Sequence, residues 1–193
     1  MPRLKYSSDD RPRSVGEIRG FPFEDFEQLK AAVAIKSFNV GVDSLAAAQW
    51  SERFNTTFKK TIIGALSLIV VVAALSSAIV GIITREYWLF AAVPIQALAF
   101  YLSHPASAYH KWVTIGGAIS VAVFIDLLLN GLTIAAALVA YAGLTFAAVR
   151  AAGFITNSSF RKALLSDEDL FMEAYNSGRC TLRNNRTKQV YSA

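Results

Sequence analysis

Residues 61–102 read TIIGALSLIVVVAALSSAIVGIITREYWLFAAVPIQALAFYL, and residues 112–149 read WVTIGGAISVAVFIDLLLNGLTIAAALVAYAGLTFAAV. Across 61–149 only four side chains carry charge: Arg85, Glu86, Lys111 and Asp126. Three of them fall in short breaks between apolar runs. A water-soluble domain must present polar groups on its surface, and a stretch this poor in charge has too few. It is expected to be a bundle of membrane-spanning helices. The breaks set the spans at 61–83, 87–102, 112–129 and 132–149. Thr84-Arg85-Glu86, the polar connection 103–111, Asn130-Gly131 and Arg150 close them in turn. At 1.5 Å per residue, about twenty residues cross the ~30 Å hydrocarbon core. Pro94 is expected to kink the second span. Trp88 and Trp112, with Tyr87 and Tyr109, lie at span ends, where amphipathic rings meet the membrane interface.

The remaining charge is segregated. Of nineteen Lys and Arg, ten precede residue 61 and seven lie from Arg150 onward. The net charge of +5 therefore belongs to the flanks and is no nucleic-acid footprint. Basic flanks stay on the cytoplasmic side. Four crossings put both ends on one side, so the N- and C-termini are expected in the cytoplasm, most simply of a bacterial inner membrane. The chain opens MPRLKYSSDDRPRS, which is polar, so the first span reads as an uncleaved signal anchor.

The flanks have their own pattern. Residues 1–20 are polar, with Pro2 and Pro12, and predict a mobile tail. Over 21–60 a cytoplasmic, juxtamembrane helical segment is expected. Phe26, Leu29, Ala32 and Val33 share one helical face, and Phe38, Val40 and Val42 alternate as in an extended link. Asp43 and Ser44 are candidate N-caps for a second helix carrying Trp50, Phe54 and Phe58, followed by Lys59 and Lys60. That stripe is read as interfacial, with packing on the C-terminal flank or on another subunit as the competing reading. Within 151–193, residues 166–177 predict a short helix that Ser166 caps and Gly178 ends. Arg179–Lys188 is basic and extended, and the two flanks are placed to dock on each other. The fold class expected is all-α: a polytopic membrane protein with four transmembrane helices and amphipathic cytoplasmic helices at both ends.

Chemistry-bearing residues are few. Asp126 is an ionisable group inside a span, which by default marks a functional candidate. It lies one turn before Asn130-Gly131, within reach of hydrogen bonds from Asn130 or from Thr133 across the turn, so a hairpin-stabilising role is favoured over proton or cation movement. Gln96 is the other main intramembrane polar group. Ala73, Ser77 and Gly81 repeat every four positions on the first span, Gly116 and Ser120 on the third, and Gly143, Ala147 and Ala151 on the fourth. Such rows let helix backbones approach closely, in the same bundle or between copies. His104 and His110 are six apart in one connection, not the three or four of a metal pair on a helix. Cys180, the one cysteine, excludes an internal disulfide. There is no nucleophile elbow, phosphate loop or dinucleotide fingerprint. No catalytic, cofactor-binding or metal residue is assigned.

These observations predict a non-catalytic membrane subunit of a larger or homo-oligomeric assembly. Its partners would be the lipid bilayer, further copies or other membrane subunits, and a cytoplasmic protein held by the flanks; nucleic acid is not among them. Two alternatives compete: a small homo-oligomeric channel or transporter with Asp126 near its outer mouth, and a membrane enzyme using the His104/His110 connection.

Overall fold

A computed structural model describes residues 11–104 and 113–193. Residues 1–10 and the connection 105–112, with Pro105, Tyr109, His110, Lys111 and the interfacial candidate Trp112, lie outside the described residues. In chain order the elements are a 3-10 turn at Val15–Glu17, α1 (Phe26–Ala34), β1 (Phe38–Val42), α2 (Ser44–Gln49), α3 (Ser51–Phe54), α4 (Thr57–Thr84), a 3-10 turn at Tyr87–Ala91, α5 (Ala92–Ser103), α6 (Val113–Leu129), α7 (Thr133–Leu164), α8 (Glu168–Asn176), β2 (Cys180–Asn184) and β3 (Val190–Tyr191). The chain is mostly helical, as expected; the three-stranded antiparallel sheet, in the order β1-β2-β3, is an addition to that expectation. The elements divide into two units, one built from the flanks up to Asn55 and from Thr156 on, the other from Thr56–Ile155.

In the flank unit, β1 pairs with β2 from Phe38 opposite Asn184 to Val42 opposite Cys180. Alternation along both strands turns Phe38, Val40, Cys180 and Leu182 inward. The core adds Leu29 from α1, Phe160 and Leu164 from α7, and Phe171 and Tyr175 from α8. Helix ends are specified locally. The Asp25 carboxylate accepts from the Gln28 N–H at 2.8 Å and starts α1. At the end of α8, Gly178 takes φ 67°, while the Arg179 N–H donates to the Ala174 carbonyl at 2.8 Å and the Gly178 N–H to that of Tyr175 at 2.9 Å. That Schellman pair stops the helix where glycine tolerates the left-handed backbone.

Several expectations for the flanks need correction. The stretch 1–20 is not a tail throughout: Val15 and Ile18 are buried, the Val15 N–H donates to Glu168 Oε1 at 3.1 Å, and Asn176 Nδ2 donates to the Pro12 carbonyl at 2.9 Å. Two apolar residues suffice to order this segment because the core they enter is built by residues far along the chain. The helix expected from Ser44 through Phe58 is broken at Trp50 and again at Asn55-Thr56, so Phe58 belongs to α4 and not to the Trp50 face. The C-terminal helix is 168–176 rather than 166–177, with Asp167, not Ser166, accepting from the Leu170 N–H at 3.1 Å.

The other unit is apolar and its burial is inverted. On α4 only Ala73, Ser77 and Gly81 are buried, whereas Leu68, Leu75, Ile79 and Ile83 are exposed. Two helices, Thr57–Thr84 and Ala135–Leu164, are long and apolar enough to cross a membrane. Only 17% and 11% of their most apolar windows are buried, whereas the core helix of a soluble protein would be mostly covered. The span expected at 61–83 thus lies within a longer helix and that expected at 132–149 continues in one that starts at Thr133, because Thr57–Lys60 and the stretch after Arg150 continue the same backbone hydrogen bonding. Tyr87–Ser103 and Ile115–Leu129 are shorter apolar helices. Pro94 falls in the first turn of α5, where its missing N–H costs no helical bond. Gly131 (φ 73°) makes the α6–α7 turn, with the Leu132 N–H donating to the Leu127 carbonyl at 2.8 Å.

Candidate functional site

Asp126 sits on the last turn of α6 with its side chain exposed. Asn130 Nδ2 donates to its backbone carbonyl at 2.9 Å and to Oδ1 at 3.3 Å. The carboxylate therefore fastens the residue that leads into the Gly131 turn. Gln96 has the opposite environment. It is 2% exposed on the buried face of α5, with Ala92, Ala99 and Ser103, and neither Nε2 nor Oε1 has a hydrogen-bond partner among the described residues. An amide in that state costs about 1–3 kcal/mol.

The small-residue rows fall at helix contacts. Ala73, Ser77 and Gly81 are the buried positions of α4, which packs on α5 and on the 3-10 turn before it. A Cβ on Gly81 would stand 3.2 Å from Leu89 Cβ and 3.3 Å from the Glu86 carbonyl oxygen, so a larger residue would need its neighbours to give by a few tenths of an ångström. On the other pair, a Cβ added at Gly143 would stand 3.8 Å from Ser120 Cβ and one at Gly116 3.9 Å from the Phe146 ring, both ordinary van der Waals distances. Ala147 is exposed and Ala151 half-buried. Ser77, Ser120 and Thr145 turn their hydroxyls back onto helix carbonyls, at 2.8, 2.9 and 3.1 Å, which satisfies them without a second helix.

The aromatic stripe is split. Trp50 and Phe54 both pack on Phe160, edge-on at 5.9 Å and stacked at 5.0 Å. These contacts are the packing on the C-terminal flank that the competing reading describes, with large aromatic faces buried against Phe160 of α7. Phe58 is 73% exposed at the start of α4, beside the half-buried Lys59 and Lys60. Trp88 donates its indole N–H to Glu86.

Around Trp50 the flank unit has a charged layer that periodicity alone could not reveal. The Arg53 guanidinium lies 4.8 Å and that of Arg179 4.6 Å from the Trp50 ring centre. Arg53 also makes a two-pronged ion pair with Glu173, at 3.0 and 2.8 Å. The Arg53 hydrogen bond holds the Glu173 carboxyl below its ordinary range. The residue types were visible in sequence; their 120-residue separation was not readable as contact. A second missed feature is the set of buried polar atoms in this unit without hydrogen-bond partners among the described residues: both amide atoms of Asn55, Asn157 Oδ1, Ser159 Oγ and Asn176 Oδ1.

Cys180 is buried, and desolvation pushes its thiol up to about 12. His104 caps the end of α5 and stands 6.1 Å from the Phe100 ring. Among the described residues, no group of three His, Cys, Asp or Glu could hold a metal ion. The chain matches no protein-family model, no curated protein and no solved structure.

Proposed function

We propose that this chain is a four-pass, non-catalytic membrane subunit whose flanks close into one cytoplasmic domain that holds a partner protein. The observation that carries the reading is the pairing of Phe38–Val42 with Cys180–Asn184. Residues from both sides of the apolar unit share one core, so both flanks occupy one compartment. The chain between them crosses the bilayer an even number of times.

Two crossings are supplied by α4 and α7. The intervening helices do not favour a water-exposed excursion: Leu98, Tyr101, Ile119 and Leu129 are 58%, 63%, 56% and 82% exposed. Each is near the lower limit for a crossing. Helix α6 has 17 residues, and α5 adds 12 residues to a five-residue 3-10 turn. With rises of about 1.5 and 2.0 Å, these lengths reach roughly 25–28 Å, against a core of ~30 Å. Their crossing as a pair keeps the count even. The basic flanks then favour the cytoplasmic side.

Reporter fusions test the topology. A fluorescent protein fused after Ala193 is expected to be bright, and alkaline phosphatase fused after Asn130 is expected to be active. Active phosphatase at Ala193 would overturn the orientation. Native mass spectrometry of the extracted chain tests the subunit reading. A strict monomer with no co-purifying protein would refute it.

A further inference from the structure

Between α6 and α7 runs a groove of about 390 Å³, lined by Gly117, Ala118 and Val121 on one side and Gly143, Phe146, Ala147 and Arg150 on the other. Six of these residues are apolar or carry no side chain. The seventh is a cation with no ion pair among the described residues. The volume is that of a small-molecule site. The groove exists because small residues leave it unfilled: a Cβ added at Gly117 meets nothing within 4 Å.

We propose that this groove seats an anionic phospholipid, with an acyl chain along Gly117, Val121, Gly143 and Ala147 and the phosphodiester on the Arg150 guanidinium. The inference rests on the membrane reading above. Depth supports it: from Thr133, where α7 begins, to Arg150 is about 26 Å of helix at 1.5 Å per residue. That nearly matches the ~30 Å core and brings Arg150 to headgroup level when the Gly131 turn lies at the other face. Charge selects the lipid over a second copy of the chain. Between Glu86 and Asp167 the sequence holds one acid, Asp126, and it lies at the opposite end of α6. A copy inserted in the same orientation therefore brings no carboxylate to Arg150 in this unit, whereas an anionic lipid brings a phosphate attached to the apolar chain the groove fits.

Native mass spectrometry of the full chain in detergent, with phosphatidylglycerol, phosphatidylcholine or inorganic phosphate added, tests this. Wild type is expected to retain phosphatidylglycerol about fivefold better than phosphatidylcholine, as one basic side chain at a membrane surface provides. Arg150→Gln should bring that ratio near one. Gly117→Leu, which fills open space, should lower retention of both lipids. Protection of the Cys180 thiol reports that each variant keeps its flank unit folded. A ratio near one in wild type, or an unchanged ratio in Arg150→Gln, overturns the assignment. So does binding of phosphate alone as strong as that of the lipid. A lipid-free dimer that Gly117→Leu dissociates would instead make the groove an interface between copies. A chain that stays monodisperse without detergent refutes the membrane reading itself, and that result is distinct from the others.

Discussion

Phe160→Ala should open the flank unit, and the chain carries its own reporter for the effect. Phe160 is fully buried, with Phe54 stacked on it at 5.0 Å and Trp50 edge-on at 5.9 Å. Truncating a buried phenylalanine to alanine costs about 3–5 kcal/mol, the sum of lost transfer energy and an unfilled cavity. A unit of about eighty residues has a total stability of roughly 4–12 kcal/mol. One substitution therefore removes between a quarter and all of it. Cys180 is the sole cysteine and is 1% exposed, so iodoacetamide reaches it only when the unit opens. In the regime where reclosing outpaces alkylation, the labelling rate follows the open population. A loss of about 3–5 kcal/mol then raises it between a hundredfold and a few thousandfold, at ~1.4 kcal/mol per factor of ten. The assay is mass-spectrometric labelling of the extracted full chain, with Ile35→Ala as control, because Ile35 is 78% exposed. A Phe160→Ala rate within threefold of wild type would refute the packing described here.

Lys36 holds a left-handed backbone (φ 58°) at the end of α1. Lys36→Gly should stabilise the flank unit by about 1 kcal/mol, read as slower Cys180 labelling or a higher denaturant midpoint. Its contact with Asn185 survives the change, since Asn185 Nδ2 donates to the backbone carbonyl of residue 36. Stability should also fall at both ends of the pH scale. The Cys180 thiol is raised in the fold from 9.0 to about 12, so its contribution is complete below pH 9 and is lost as pH climbs towards 12. The Glu173 carboxyl is lowered, so its contribution is present above the ordinary carboxylate range and lost as pH drops through the depressed value. Solvent screening keeps the acid effect small, and Glu173→Gln should abolish that part of the acid slope in a pH series of unfolding midpoints. Gln96→Leu removes two buried polar atoms without partners among the described residues. It should raise thermal stability in detergent, with a gain of about 1–3 kcal/mol; a fall in melting temperature would show that the amide has a partner on which the fold depends.

The apolar runs, the Asn130-Gly131 turn and the Gly178 stop are decided within a few residues, and periodicity and turn chemistry report them directly. Phe38, Val40 and Val42 likewise read as extended. Their partner, Cys180–Asn184, could not be read, because alternation fixes which side chains face inward and says nothing about the strand across the ladder. The same limit explains Val15 and Ile18. Two apolar residues in a polar stretch look too few to order it until Glu168 and Asn176 are seen to hold the segment against an existing core. For Trp50 and Phe54 the helical spacing was real, but Phe160 is more than a hundred residues away. Of the candidate site, Asp126 with Asn130 is legible because the contact is one helical turn. The burial of Gln96 is not, since it depends on which face α5 turns towards its neighbours.

The ladder between Phe38–Val42 and Cys180–Asn184 has a consequence during synthesis. The first strand leaves the ribosome some 140 residues before the second, an interval on the order of ten seconds. Through that interval Val15, Leu29 and Val40 have no Leu182 or Phe171 to cover them. On the membrane reading proposed above, a nascent chain that threads the bilayer one pass too few or too many would strand its halves on opposite faces and leave those side chains bare, ready for a chaperone or protease to seize. Completion of the sheet would then act as a proofreading step, in which only correctly inserted molecules conceal the mark of an unfinished one.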